Sequence, residues 1–157
     1  VHAELMLRIA DYLDWPGRPY VARRAVVMTA EDRGRFNRGR ELFQACAACH
    51  QDDGRGAPGL APPLAGSSIV TGSAAQLVRI LVLGLEGEYE FGGQRYSGSM
   101  PAVEYPSDGE YAAVLTYIRR SWGNEADPVH PDLVEQVRGQ LGGRVAPLKR
   151  EELQPDG

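Results

Sequence analysis

Cys46-Ala47-Ala48-Cys49-His50 is the stretch from which the rest of this 157-residue chain is read. A C-x-x-C-H pentapeptide is the pattern of covalent c-type haem attachment: both thiols become thioethers, and the adjacent histidine lies under the iron as proximal ligand. The spacing has a physical basis. Two intervening residues let both sulfurs and the imidazole meet one edge and one face of a flat macrocycle. A redox dithiol would call instead for a preceding strand within a βαβ pattern, which is missing here. A zinc site would want two more Cys or His ligands at close spacing. Both cysteines lie inside the pentapeptide, and the other histidines, His2 and His130, are remote in sequence. Cys46 and Cys49 are thus the candidate attachment residues, and His50 the candidate metal ligand.

The bulk properties restrict the setting of such a site. The length suits one domain with a modest core. Hydrophobic residues at 43% and aromatics at 8% are ordinary for a globular protein. A formal charge of −4, with no clustered Lys/Arg run, argues against nucleic acid as a partner. The longest apolar runs, such as Leu81-Val82-Leu83, are too short to span a bilayer. With no cysteine left for a structural disulfide, thiol counting alone gives no compartment. Attachment of c-type haem normally occurs outside the bacterial cytoplasm, so a periplasmic or other extracytoplasmic location is expected, with membrane association only through a parent protein. The chain opens Val1-His2-Ala3-Glu4, without a basic and then apolar leader, and is read as a processed protein or an excised domain.

Immediately upstream of the pentapeptide, a helix is expected from Thr29. Thr29 is a good N-cap, and Asp32 adds negative charge to the first turn. Phe36, Gly39 or Arg40, and Phe43 fall on one face. Gly34 and Gly39 weaken this helix by roughly 1 kcal/mol each relative to Ala, and a glycine makes sense there if another helix crosses closely. Farther upstream, residues 16–28 read as an extended connector. Residues 3–13 read as a helix, with Leu5, Ile9 and Tyr12 at helical spacing.

Downstream, residues 52–72 are rich in Gly, Pro and Ala and form neither helix nor central strand. After a haem motif they read as an ordered loop against the ring edge. Ser73 to Gln76 reads as a capping box, followed by a helix with Leu77, Ile80, Leu81 and Leu85 on one stripe. Residues 89–91 and 94–96 around Gly92-Gly93 form a hairpin signal. Ser97-Gly98-Ser99-Met100-Pro101 reads as a loop ending in methionine. Ser107 to Glu110 reads as another capping box. Its helix runs to about Trp122, with Tyr111, Val114, Leu115, Ile118 and Trp122 on one face and Gly123 as the stop. Arg119 and Arg120 read as a solvated pair near the helix end. A short helix is expected over 131–139, opened by Pro131, and residues 142–157 read as a loosely ordered tail.

The iron needs a sixth ligand or an open site. The candidates are Met6, Met28, Met100, His2 and His130. Met6 and Met28 read better as core filler, and His130 as a helix N-cap. Met100 is favoured, because a polar Gly/Ser loop gives no packing reason for it and could carry its thioether across the distal face. The segment Pro62-Pro63 can supply a carbonyl that fixes the histidine tautomer. The adjacent carboxylates Asp52 and Asp53 read as a solvated turn rather than an acid/base pair.

On these residues the chain resembles the single-haem class I cytochromes c, over roughly residues 30–123. Gly39-Arg40-Glu41-Leu42-Phe43 before the pentapeptide looks like the family's N-terminal helix, which crosses the C-terminal helix at a glycine. Ala61-Pro62-Pro63-Leu64 looks like the proximal loop, and Met100-Pro101 like the distal methionine loop. The resemblance implies an all-α fold around one covalent haem c, here with a small β-hairpin insertion and extra N- and C-terminal helices. It implies that Pro62 O accepts from His50 Nδ1–H and that Leu64 packs on the haem, with Leu77, Leu81 and Tyr96 as further packing residues. The run from Ala113 to Asn124, then Ala126 to Val129, is similar to cytochrome c domains fused to or partnered with quinoprotein-type or membrane-associated bacterial dehydrogenases.

The expected organisation is a helix and connector over 1–28, a cytochrome domain over 29–124, and a C-terminal short helix and tail over 125–157. The expected function is a His/Met-ligated single-electron carrier between a dehydrogenase and a respiratory acceptor (an oxidase or another cytochrome), not an enzyme, and monomeric as an isolated domain. The alternative is a haem enzyme or gas sensor with an open distal site.

Overall fold

The computed structural model describes residues 27–91 and 94–153. The helix expected over 3–13, most of the connector that follows it, Met6 and His2 lie outside the described residues.

Helix α1 (Ala30–Leu42) starts where its cap chemistry dictates. Thr29 Oγ1 accepts from the Asp32 N–H at 3.1 Å, and Asp32 Oδ2 accepts from the Thr29 N–H at 2.9 Å. The box is reciprocal and satisfies two backbone donors at once. The Thr29 bonds hold the Asp32 carboxyl below the usual carboxylate range against the opposing effect of burial. The helix buries little of its own surface: only Asp32 and Gly39 are fully inside. Its place comes from a crossing. A Cβ built on Gly39 would lie 2.0 Å from the Ala113 carbonyl oxygen, so the backbones of α1 and α5 (Asp108–Arg120) touch there, as the sequence suggested. Gly34 faces open space, and no close approach explains it.

A turn at Phe43 leads into α2 (Gln44–His50), which is the motif itself. The loop after it runs to Ser67, then come α3 (Ser68–Thr71) and α4 (Ala74–Leu83). Strands β1 (Leu85–Phe91) and β2 (Gln94–Met100) pair antiparallel, then α5 and α6 (Pro131–Leu141) close the helical layer. One core joins them: Phe43, Leu77, Val78, Leu81, Val114, Leu115, Ile118, Val134 and Val137 are all buried in a single cluster. Each such side chain contributes roughly 1.5–3 kcal/mol on leaving water.

The structure changes several expectations. The α4 stripe ends at Leu83, because Gly84 takes φ +75° and breaks the helix; Leu85 begins β1 instead. The hairpin is longer than its aromatic part. The ladder runs from Phe91↔Gln94 to Leu85↔Met100, so residues 97–100 form strand rather than loop. Ser and Gly carry little strand propensity, but the ladder is made by their backbones. Ser107 caps α5 without a side-chain hydrogen bond, and Glu110 is drawn instead to Arg38 across the helix pair. Helix α5 stops at Arg120, before Trp122. Arg119 is buried, not solvated: its guanidinium donates to the carbonyls of Val70, Gly72 and Asp127. Helix α6 runs two residues past Gly139 to Leu141 and is closed by Gly142 in the left-handed conformation. The described part of the tail is not loose. Leu148–Lys149 forms β3, parallel to β1, with Leu148 buried beside Ile80, Leu83 and Leu85, and a 3-10 turn follows at Arg150–Glu152.

Candidate metal centre

The pentapeptide fills most of α2, with Cys46 and Cys49 one turn apart. Both thiols are free; Cys46 is half-buried and Cys49 exposed. Burial pushes the Cys46 thiol up from its ordinary pKa. His50, the last residue of the helix, is buried. Its Nδ1 lies 3.0 Å from the Pro62 carbonyl oxygen. A carbonyl can only accept, so Nδ1 carries the proton and donates, and Nε2 keeps its lone pair. Burial lowers the His50 pKa, which keeps the ring neutral and able to bind a metal. Among the described residues, no three His, Cys, Asp or Glu side chains converge on a point that could hold a metal ion. Cys46, Cys49 and His50 lie along one short helix, an arrangement that suits the anchors of an extended group.

The Pro62 carbonyl is held by a network that begins in the backbone. Leu64 N–H and Ala65 N–H both donate to the Gly54 carbonyl, at 2.7 and 3.0 Å, and Gly56 N–H donates to the His50 carbonyl at 2.9 Å. Two residues beyond α5 brace this loop from the side. Asn124 is buried; its Nδ2 donates to the Leu64 and Ile118 carbonyls, and its Oδ1 accepts from Gly66 N–H. Trp122 takes a positive φ of 54° and donates from Nε1 to the Asp52 carbonyl at 3.0 Å. The packing expected of Trp122 is present, its ring meeting Phe43 and Tyr117, whereas the sequence assigns Asn124 no role. A polar residue just past a helix stop was the one visible signal, and nothing in the sequence says which carbonyls it reaches. Asp53 accepts from Arg55 N–H in an exposed turn, as a solvated carboxylate would.

Met100 is half-buried at the end of β2 and bridges the two hydrophobic clusters. It is secured on both sides. Its backbone pairs with Leu85, and three residues later Val103 N–H donates to the Leu81 carbonyl at 2.9 Å. A Cβ on Gly84 would lie 2.5 Å from the Met100 carbonyl oxygen, so only glycine lets the chain after α4 run this close to the methionine. Cys46, Leu64 and Met100 pack on the same core as Leu77 and Leu81. Tyr96 stands apart from that group: it is buried in the hairpin, its ring stacked on Tyr89 at 6.0 Å. Of the other candidate ligands, Met28 is half-buried ahead of α1, with its carbonyl accepting from Arg33. His130 is exposed at the N-cap of α6, with Nδ1 accepting from Arg35 at 3.1 Å.

These residues suit a haem. A tautomer-fixed imidazole, two thiols one turn apart, and a half-buried thioether border one apolar core, and among the described residues no helix is long and apolar enough to cross a membrane. Comparison with known proteins gives the same direction. The family model for cytochrome c matches residues 36–122. Cytochrome c-552 of Thermus thermophilus is 35% identical over 115 residues, covering 69% of this chain and 88% of that protein. The cytochrome c subunit of the quinone alcohol dehydrogenase of Gluconobacter oxydans (strain 621H) is 35% identical over 102 residues, 59% of this chain. The fructose dehydrogenase cytochrome subunit of Gluconobacter japonicus is 31% identical over 122 residues, 71% of this chain. The chain spans only 20% and 24% of the length of those two subunits.

Proposed function

This chain belongs to the cytochrome c family, whose members bind covalently attached haem c with iron, and on that premise we propose that it is a single-electron carrier whose haem would be anchored through Cys46 and Cys49, with His50 and Met100 as the residues that would ligate its iron. The haem supplies an iron that gains and loses one electron. The observation that carries the reading is the fixed imidazole. His50 donates through Nδ1 to Pro62 O at 3.0 Å, which leaves the Nε2 lone pair free to bind a metal.

Met100 supports the second half of the proposal, because the ladder to Leu85 and the Val103–Leu81 bond fix the backbone that carries it. Thioether ligation raises the reduction potential and leaves no position for substrate. The protein's own work is then to hold the ring, keep water from the buried face, and leave one edge accessible. Ala48 and Cys49 are exposed, so the attachment edge is where a redox partner can approach. In this reading the donor is a dehydrogenase, in keeping with the Gluconobacter subunits, the acceptor is respiratory, and the location is extracytoplasmic. Residues 29–124 form the cytochrome unit, and the described part of the C-terminal segment, residues 125–153, packs on it.

Met100→Ala tests the ligand set. The parent holoprotein is expected to exchange one electron reversibly with an external couple and to ignore carbon monoxide. The variant is expected to fall in potential and to bind carbon monoxide when reduced. A parent that binds the gas as readily as the variant, or turns over peroxide, contradicts the proposal.

A further inference from the structure

Tyr105 carries a polar group that the fold alone does not use. Its backbone N–H donates to the Tyr111 hydroxyl at 3.2 Å, and that hydroxyl donates to the Val103 carbonyl at 2.6 Å. The two rings meet edge to face, with centroids 5.0 Å apart and planes at 84°. These contacts fix the direction of the phenol, which packs with Cys46, Leu64 and Met100 against the main core. Its hydroxyl is buried and makes no well-formed hydrogen bond to the protein. Of the polar groups around it, the Cys46 thiol acts on it most strongly, ahead of the Tyr111 hydroxyl and the Glu110 carboxylate. A buried O–H without a proper acceptor loses its hydration and gains nothing in return. Phenylalanine would keep every ring contact without that cost, so the hydroxyl calls for a partner that the bare chain lacks.

We infer that Tyr105 is a positioning residue for the haem: its O–H donates to the sulfur of Cys46 once that sulfur is the thioether anchoring the ring. The inference rests on Cys46 being an attachment residue. The choice of acceptor follows from the layout of the macrocycle. The thioethers form where the vinyl groups stood, and the propionate carboxylates lie on the opposite edge, so a hydroxyl facing Cys46 is at the sulfur edge. Loss of the S–H leaves a sulfur that can only accept, which gives the phenol a defined role as donor. Burial pushes the Tyr105 pKa up, and the phenol keeps its proton throughout the working range. A donor at the ring edge favours the electron-rich, reduced form and limits rocking about the Cys46 tether.

The test is Tyr105→Phe in the haem-loaded protein, read by the C–S stretching bands of the thioethers in resonance Raman spectra and by redox equilibration. In the parent, one C–S band is expected to shift in D2O. In the variant that band moves and loses its D2O sensitivity, while the electron-exchange equilibrium shifts about threefold toward the oxidised form. C–S bands that ignore both D2O and the substitution overturn the inference. A threefold redox shift with unchanged C–S bands overturns it too, because the acceptor then lies elsewhere. Should the variant fail to take up haem, the D2O response of the parent band decides alone. A parent with no covalent haem is recognised at once as a colourless protein; it overturns the attachment reading and this inference with it.

Discussion

Asn124 uses every hydrogen-bonding group of its amide that the loop offers: two carbonyls accept from its Nδ2, and one N–H donates to its Oδ1. It ties the segment after Pro62 to the end of α5, and so restrains the carbonyl that orients His50. Asn124→Ala leaves Leu64 O, Ile118 O and Gly66 N without that partner. The expected loss is roughly 1–3 kcal/mol in urea unfolding, together with a change in haem potential that a remote surface substitution does not produce. At this scale the sequence was legible where chemistry is local. Cys46, Cys49 and His50 declare themselves by spacing, and Pro62 stood out as a candidate carbonyl. Asn124 and Arg119 did not, because most of their partners lie far away in sequence. Arg119 serves Val70 and Gly72 from a helix whose solvent side seemed the natural place for it.

At the scale of elements, α1 is held by its cap and by one crossing rather than by a broad apolar face. Gly39→Ala drives a methyl group into the Ala113 carbonyl. Helix separation is the only relief, and the expected cost is about 1–3 kcal/mol or more by denaturant unfolding. The α1 cap adds a pH dependence of definite sign. The Asp32 carboxyl is depressed in the folded state by its Thr29 hydrogen bonds, so its contribution is complete above the ordinary carboxylate pKa. It is lost as pH falls through that value toward the lower folded one. Acid titration of stability is expected to show a drop over that window that Asp32→Asn reduces. The Thr29 and Ser73 caps were readable because the capping residue stands next to its own helix. Ser107 is the N-cap as read, but the reciprocal box is not formed, and Arg38 of another helix takes the Glu110 carboxylate that the box would need. The length of β2 was hidden for a related reason: Ser-Gly-Ser is loop-like by composition, and only pairing with β1 makes it strand.

Across the whole molecule, the C-terminal helix belongs to the same core as the haem-side residues. Val134 and Val137 of α6 share one cluster with Phe43, Leu77 and Leu81. Val134→Ala is therefore expected to cost about 1–3 kcal/mol and to lower one common transition, seen at the same midpoint by far-UV circular dichroism and by haem absorption. Separate midpoints would mean that α6 unfolds independently of the centre. No pattern in the residues after Gly142 hints that the chain returns to β1, since the pairing rests on two residues and one buried leucine. What the sequence did suggest was a plan for the centre: one anchoring motif, one candidate sulfur ligand, and helices to close around them. The most direct test of that logic is the absorption spectrum of the purified, oxidised protein, followed by reduction under carbon monoxide. Ligation by His50 and Met100 predicts the weak long-wavelength band of sulfur-bound ferric haem and no response to the gas; absence of the band with ready carbon monoxide binding would contradict it.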